Sequence, residues 1–365
     1  MSWPKALAVA WAALVVSLGC AHAAARGRLG DDGWAREVER RGVDSSAAVY
    51  PFTTTPEMER WVLEALQGRL SDGAGSQLKS IQQALFSPDF AFSYDADLTL
   101  TAAEAFATRR GNCLSFTAMF VAMARSVGIR AFLMSVQRQP EVDRDGSLVV
   151  VNRHVVAGHR LSSSEVGIFD FYVTSAGPYI QQRLIDDVTA TAMYHTNLGG
   201  DAIRRGDLDA AVRHLGIATA LAPEWAPGWV NLGVARYRLG DTEGAFADYQ
   251  RALEAEPDNA SALANMAFIY REQGRLVEAE LALRAAAHQT TNPFTLIAMA
   301  DAEMMRQQWG AAARYLRKAR WWYRDEPEVY KARARLARKT GDPAAAERNQ
   351  RRAAELYRRQ ASSPE

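Results

Sequence analysis

The chain has 365 residues, 48% hydrophobic and 23% charged, with a formal net charge of +1. That composition is an ordinary globular one, and nucleic acid is not expected as a partner of a chain whose leader marks it for export. The length predicts two folded units, and with only Cys20 and Cys113 present a disulfide framework is excluded.

Residues 1–23 read as an export signal, with Lys5 ahead of an apolar stretch from Ala6 to Gly19 and small residues after it. The stretch is too short to span a membrane comfortably. Two processing routes fit. Cleavage either follows Ala21-His22-Ala23, or precedes Cys20, because Ser17-Leu18-Gly19-Cys20 resembles a bacterial lipobox with Ser17 in place of the usual leucine. In the second case Cys20 carries the lipid. The expected location is the bacterial periplasm, or an outer-membrane lipoprotein facing it. On both routes Cys113 lacks an intramolecular partner, and a lone thiol in an oxidising compartment is a liability unless something requires it.

Residues 24–50, rich in Ala, Gly, Arg and Asp, predict a tether. Thr55 as N-cap and Pro56 at the first helical position open a helix to about Leu66, and a second is predicted over Ser76 to Phe86. Thr101-Ala102-Ala103-Glu104 is a capping box opening a third, closed by Arg109, Arg110 and Gly111. Asn112 then caps a fourth, apolar at Leu114, Phe116, Met119, Phe120, Met123 and Val127 and ended by Gly128. From Ile129 the pattern changes. Ile129 to Val136, Leu148 to Leu161 and Val166 to Val173 are rich in β-branched and aromatic residues, with a turn at 144–147. Residues 51–185 therefore read as an α+β unit, helices first and a small antiparallel sheet after.

The remainder repeats. Gly206, Gly240 and Gly274 are 34 residues apart, as are Ala211, Ala245, Ala279 and Ala313, and Pro223 and Pro257. Trp229, Leu232, Gly233, Tyr237, Gly240, Ala245, Tyr249, Ala252 and Pro257 resemble the tetratricopeptide signature. Residues 192–360 thus predict an all-α solenoid of about five repeats, an architecture that presents extended binding surfaces to a protein or peptide. Asn197, Asn231 and Asn265 share the 34-residue period and are candidate groove residues for an extended peptide.

The chemistry centres on Cys113. At the first position of its helix the sulfur lies near free backbone N–H groups and the positive end of the macrodipole, which stabilise a thiolate. A nucleophile also needs a base oriented by a third group. His154 and His159 have opposite parity in a predicted strand, so only one of them can face the thiol. Asp170 is a single acid in an apolar run, where burial demands a hydrogen-bonding partner and an imidazole suits.

Phe92-x-Tyr94, Thr101 to Glu104, Arg109-x-Gly111-Asn112-Cys113, the run Phe116 to Arg130, then His154 and Asp170 resemble, in that order, the core of the transglutaminase-like superfamily. The resemblance implies a papain-like fold with Cys113 as nucleophile, His154 as base and later acid, and Asp170 holding the imidazole. The backbone N–H of Cys113 would then form part of an oxyanion hole, with Tyr94 the candidate second donor. The family often has an aromatic after the histidine and Asp-Pro at the acid; Val155-Val156 and Asp170-Phe171 stand here instead.

The expected activity is that of an exported cysteine-dependent acyl-transfer enzyme, a peptide or isopeptide hydrolase or a transglutaminase-like enzyme. The alternative is a non-catalytic scaffold in which the repeats bind partners. No Cys-x-x-Cys or glycine-rich phosphate loop is present, so neither metal nor other cofactor is expected. Between Arg314 and Arg359, 15 Lys or Arg stand against 6 Asp or Glu. That excess of nine, in a chain of +1, leaves the rest at −8. With Trp321, Trp322 and Tyr323 beside Arg320 and Arg324, this end is a candidate contact for an anionic membrane or an acidic protein.

Overall fold

The computed structural model describes residues 14–15, 31–137, 142–145, 148–151, 154–162, 165–170, 181–289 and 293–362. They fall into two units: residues up to 138 with 153–194, and residues 139–152 with 195–365. The processing sites around Cys20 lie outside the described residues.

In chain order the first elements are β1 (Leu14–Val15), α1 (Asp31–Arg40), α2 (Pro56–Ala65), α3 (Ala74–Leu85), β2 (Ser93–Tyr94), α4 (Ala102–Thr108), β3 (Arg110–Gly111), α5 (Cys113–Ser126) and β4 (Ala131–Gln137). Then come β5 (Val142–Asp145), β6 (Leu148–Val151), β7 (His154–Arg160), β8 (Glu165–Phe169) and β9 (Gln181–Ile185). Local chemistry sets the helix starts. The Thr55 side chain accepts from Met58 N with Pro56 in the first turn, and Thr101 and Glu104 close a reciprocal capping box. α4 ends on Arg109 in the left-handed conformation (φ 55°), two residues earlier than a glycine cap at Gly111 would place it.

α5 is buried continuously from Leu114 to Arg125, which makes it the central helix of this unit. Beside it lies an antiparallel sheet in the order β1-β8-β7-β4-β9. At the far end of α5, Arg125 donates through Nη1 and Nη2 to the two carboxylate oxygens of Asp187, both at 2.9 Å, and through Nε to the Ala131 carbonyl at 3.0 Å. Burial pushes the Asp187 carboxyl up, and the guanidinium and the Tyr50 hydroxyl pull against it.

The expected tether is corrected over 31–50. α1 buries Trp34 and Val38 one turn apart, Val43 and Ala48 follow, and Trp34 Nε1 donates to Thr191 Oγ1 at 3.0 Å. Few apolar anchors suffice to fold a short segment onto a body that already exists, and a polar average composition conceals them.

The second unit is helical. α6 (Asp187–Arg205) leads into α7 (Leu208–Leu221), followed by α8 (Ala226–Arg238) with α9 (Thr242–Ala255), α10 (Ala260–Glu272) with α11 (Leu276–Gln289), α12 (Pro293–Met305) with α13 (Trp309–Trp322), and α14 (Pro327–Lys339) with α15 (Pro343–Ser362). Gly233 permits the close approach of α8 to α9: a Cβ there would lie 2.5 Å from the Tyr249 ring. The strands β5 and β6 pair with one another, and β6 packs against α8 and α10.

Between α6 and α7, His195 Nδ1 and His214 Nδ1 are 3.0 Å apart, so one must donate and the other accept, which two neutral rings can do. Burial, reinforced by His214, holds His195 down to about 4, and burial also lowers His214. An unfolded chain takes up a proton near pH 6.5 that the folded His195 refuses until about 4, so stability falls as pH drops through that window, by up to about 3 kcal/mol. His195→Gln should therefore shrink the loss of thermal midpoint between pH 6.5 and 4; an unchanged loss refutes the assignment.

Candidate active site

The site is built where α5 begins. Gly111 (φ +154°) precedes it, and a Cβ there would lie 2.6 Å from Ser115 Cβ, so only glycine fits. Asn112 Oδ1 accepts from Ser115 N at 3.0 Å while its Nδ2 donates to Thr99 Oγ1 at 2.7 Å. Ser115 Oγ donates to the Leu98 carbonyl at 3.2 Å and accepts from Leu100 N at 2.7 Å. Asn112 is thus the helix cap, as its place in the sequence predicts, and loop 98–100 is fastened to the first turn of α5.

Cys113 is the first residue of α5 and is partly exposed. His154 opens β7, and Asp170 follows the last residue of β8. His154 Nε2 lies 2.9 Å from Asp170 Oδ1, with side chains only 9% and 14% exposed. The same imidazole is hydrogen-bonded to Cys113. Since Nε2 is committed to the carboxylate, Nδ1 is the nitrogen left for the sulfur. Burial lowers the tendency of His154 to hold a proton, but hydrogen bonds and charge from Asp170 and Cys113 outweigh it and push the ring up to about 10. His159 lies elsewhere, with Nδ1 3.1 Å from the Arg130 carbonyl, as opposite strand parity requires.

Residues 66–160 match the model of the transglutaminase-like superfamily, and residues 196–260 and 236–303 match two models of tetratricopeptide repeats. The chain joins a transglutaminase-like domain to tetratricopeptide repeats. Over 75 residues it is 41% identical to cellulose synthase operon protein C of Xanthomonas axonopodis pv. citri (strain 306), a stretch that is 20% of this chain and 5% of that one. Pseudomonas aeruginosa PilF aligns with 45% of this chain and 76% of its own, at 23% identity and a TM-score of 0.41. MamA of Desulfovibrio magneticus RS-1 aligns with 47% of this chain and 97% of its own, at 19% identity and a TM-score of 0.37.

Within the transglutaminase-like domain, three contacts near Cys113, His154 and Asp170 escape sequence reasoning. Thr117, one turn beyond Cys113 and fully buried, donates from Oγ1 to the carbonyl of Val155, the neighbour of His154, at 3.2 Å. Phe169, the neighbour of Asp170, packs on Phe120 of α5 with ring centroids 5.4 Å apart. Gln82 of α3 adds a longer contact, Nε2 to the Asp170 carbonyl at 3.5 Å. Thr117 ties the helix that bears the thiol to the strand that bears the imidazole. Thr117→Val, which keeps the shape and deletes the hydroxyl, should slow Cys113 alkylation at pH 6 by about threefold to tenfold, because an unmade buried hydrogen bond costs about 1–3 kcal/mol and part of it falls on the Cys–His spacing. Thr117→Ser should retain the native rate, and equal slowing in both variants would show that the hydroxyl does not set the spacing.

Tyr94 stands across from Gly111 in the parallel β2–β3 pair, two residues from Cys113 in register, with 42% of its side chain exposed. The three repeat asparagines do not act together. Asn197 is half-buried, whereas Asn231 and Asn265 are 0% and 1% exposed. Asn231 and Asn265, expected as open groove contacts, are therefore buried inside the second unit. Among the described residues no cluster of three or more His, Cys, Asp or Glu could hold a metal ion.

Proposed function

We propose that the protein is an exported cysteine-dependent acyl-transfer enzyme acting on a protein or peptide, in which Cys113, His154 and Asp170 work as a triad. The observation that carries this reading is the single imidazole bonded both to a helix-leading thiol and to a buried carboxylate. The Cys113 sulfur, its proton taken by His154, attacks the substrate carbonyl, forming a C–S bond while the carbonyl electron pair moves to oxygen. The N–H of Cys113, free of an intrahelical partner at the helix start, donates to that oxyanion, and Tyr94 supplies the second donor. The His154 proton passes to the leaving amine as the C–N bond breaks, giving a thioester. Water then attacks, His154 takes its proton, and the acid is released with the thiol regenerated.

Hydrolysis is favoured over cross-linking because water is abundant and a thioester survives it only where a site excludes it. The repeats hold the protein or peptide partner. The leader at 1–23 carries the chain out of the cytoplasm, with lipidation at Cys20 the alternative to simple secretion, the location being the periplasm.

Intact-mass spectrometry after mixing with an activated peptide ester tests the chemistry. The native chain should gain one acyl mass, Cys113→Ser should not gain a thioester, and release should give the free acid. Release faster with an added amine identifies a transferase. No adduct on the native chain defeats the enzyme reading and leaves the scaffold reading in its place.

A further inference from the structure

The strongest unabsorbed feature lies on α13. This helix carries Arg314, Arg317, Lys318 and Arg320 and has no acidic residue. Ala312, Leu316 and Ala319 form its buried face, and the opposite face, by helical spacing, presents Arg314, Arg317, Lys318 and Trp321, all exposed. Trp321 is 68% and Trp322 41% exposed, an unusual outlay of indole surface in the last turn of a helix.

A second observation reinforces the first. Arg333 of α14 is half-buried, and its affinity for a proton is lowered by burial and then by the nearby charges of Arg320 and Arg317. Its Nε donates to the neutral Asn349 side chain at 3.2 Å. Three guanidiniums within electrostatic reach of one another raise the energy of the folded chain, and an anion settling over them relieves it. Other basic residues of the same repeats meet acids: Arg335 pairs with Asp301, Arg351 with Glu347 and Arg359 with Glu355.

We propose that the face of α13 bearing Arg314, Arg317, Lys318 and Trp321, with Arg320 and Trp322 beside it, docks onto an anionic phospholipid surface. Phosphates meet the guanidiniums and ammonium, and the indoles enter the interfacial layer, where an apolar ring with one N–H donor is at home. A bilayer is favoured over an acidic protein by the exposure of the rings. A protein hot spot seats its tryptophan in a desolvated pocket ringed by neutral contacts. Here the indoles project among charges.

The test uses the full chain and sedimentation with vesicles of phosphatidylcholine, either alone or with about one-quarter phosphatidylglycerol. Binding should require the anionic lipid and weaken as salt rises. Arg317→Gln/Arg320→Gln should weaken it about twentyfold, since each basic residue near such a surface contributes about fivefold. Trp321→Ser/Trp322→Ser should weaken it at every salt concentration, and Arg314→Gln/Lys318→Gln serves as an independent charge pair. The leader is common to all variants, so it cannot produce a difference between them. Equal binding by native chain and variants overturns the proposal. So does absence of vesicle binding with retention on polyglutamate, which would assign the face to an acidic protein. Neither outcome bears on the triad, because no variant touches it.

Discussion

Replacing His154 with alanine is expected to slow alkylation of Cys113 by about tenfold to a hundredfold at pH 6, and by only a few-fold at pH 9. The size follows from what the imidazole does: hydrogen bonds and charge from Asp170 and Cys113 push its proton affinity up, so it can hold the proton that the attacking sulfur gives up. At pH 9 a free thiol ionises without help, so the difference narrows. Asp170→Asn should fall between the native chain and His154→Ala, since it deletes the carboxylate charge that helps keep the ring protonated. Identical rates in all three proteins over this pH range would make Cys113 a packing residue.

The second large effect concerns stability. Asp187→Ala should destabilise the first unit by about 3–5 kcal/mol in denaturant unfolding, because it strands the Arg125 guanidinium, 8% exposed, without its counter-charge. Arg125→Met combined with Asp187→Leu should recover most of that loss, since the cost lies in the unpaired charge and the pair itself contributes little net. A loss below about 1 kcal/mol for Asp187→Ala, the scale expected of an exposed pair such as Arg351 and Glu347, would show that water reaches Arg125.

What the sequence discloses divides along the range of the interactions. Thr55, Thr101 and Asn112 declare their helices because a cap bonds within three residues. The repeats declare themselves by period. Arg125 and Asp187 are 62 residues apart, and nothing in either neighbourhood names the other. Thr117 is one hydroxyl on an otherwise apolar helix, and the strand carbonyl it meets carries no side-chain signal. The order of Cys113, His154 and Asp170 is legible through resemblance, whereas the bond that joins His154 to Asp170 depends on the β7–β8 register, which flanking residues do not specify. Strand ends were least legible. Asp170, read as lying inside a strand, sits just past the end of β8, where its carboxylate can turn toward the ring.

Under the triad reading, with the proton affinity of His154 raised by Asp170 and Cys113, a proton already on the ring when the sulfur attacks leaves none in flight, and the rate at which a small alkylating agent labels Cys113 should then be the same in heavy water as in ordinary water. Expulsion of an amine and the later entry of water both carry a hydrogen through the ring, and both should slow on deuteration. The isotope effect on the proposed acyl transfer from a peptide would therefore reveal whether bond-making at sulfur or traffic through the imidazole limits it, with no need to isolate an intermediate.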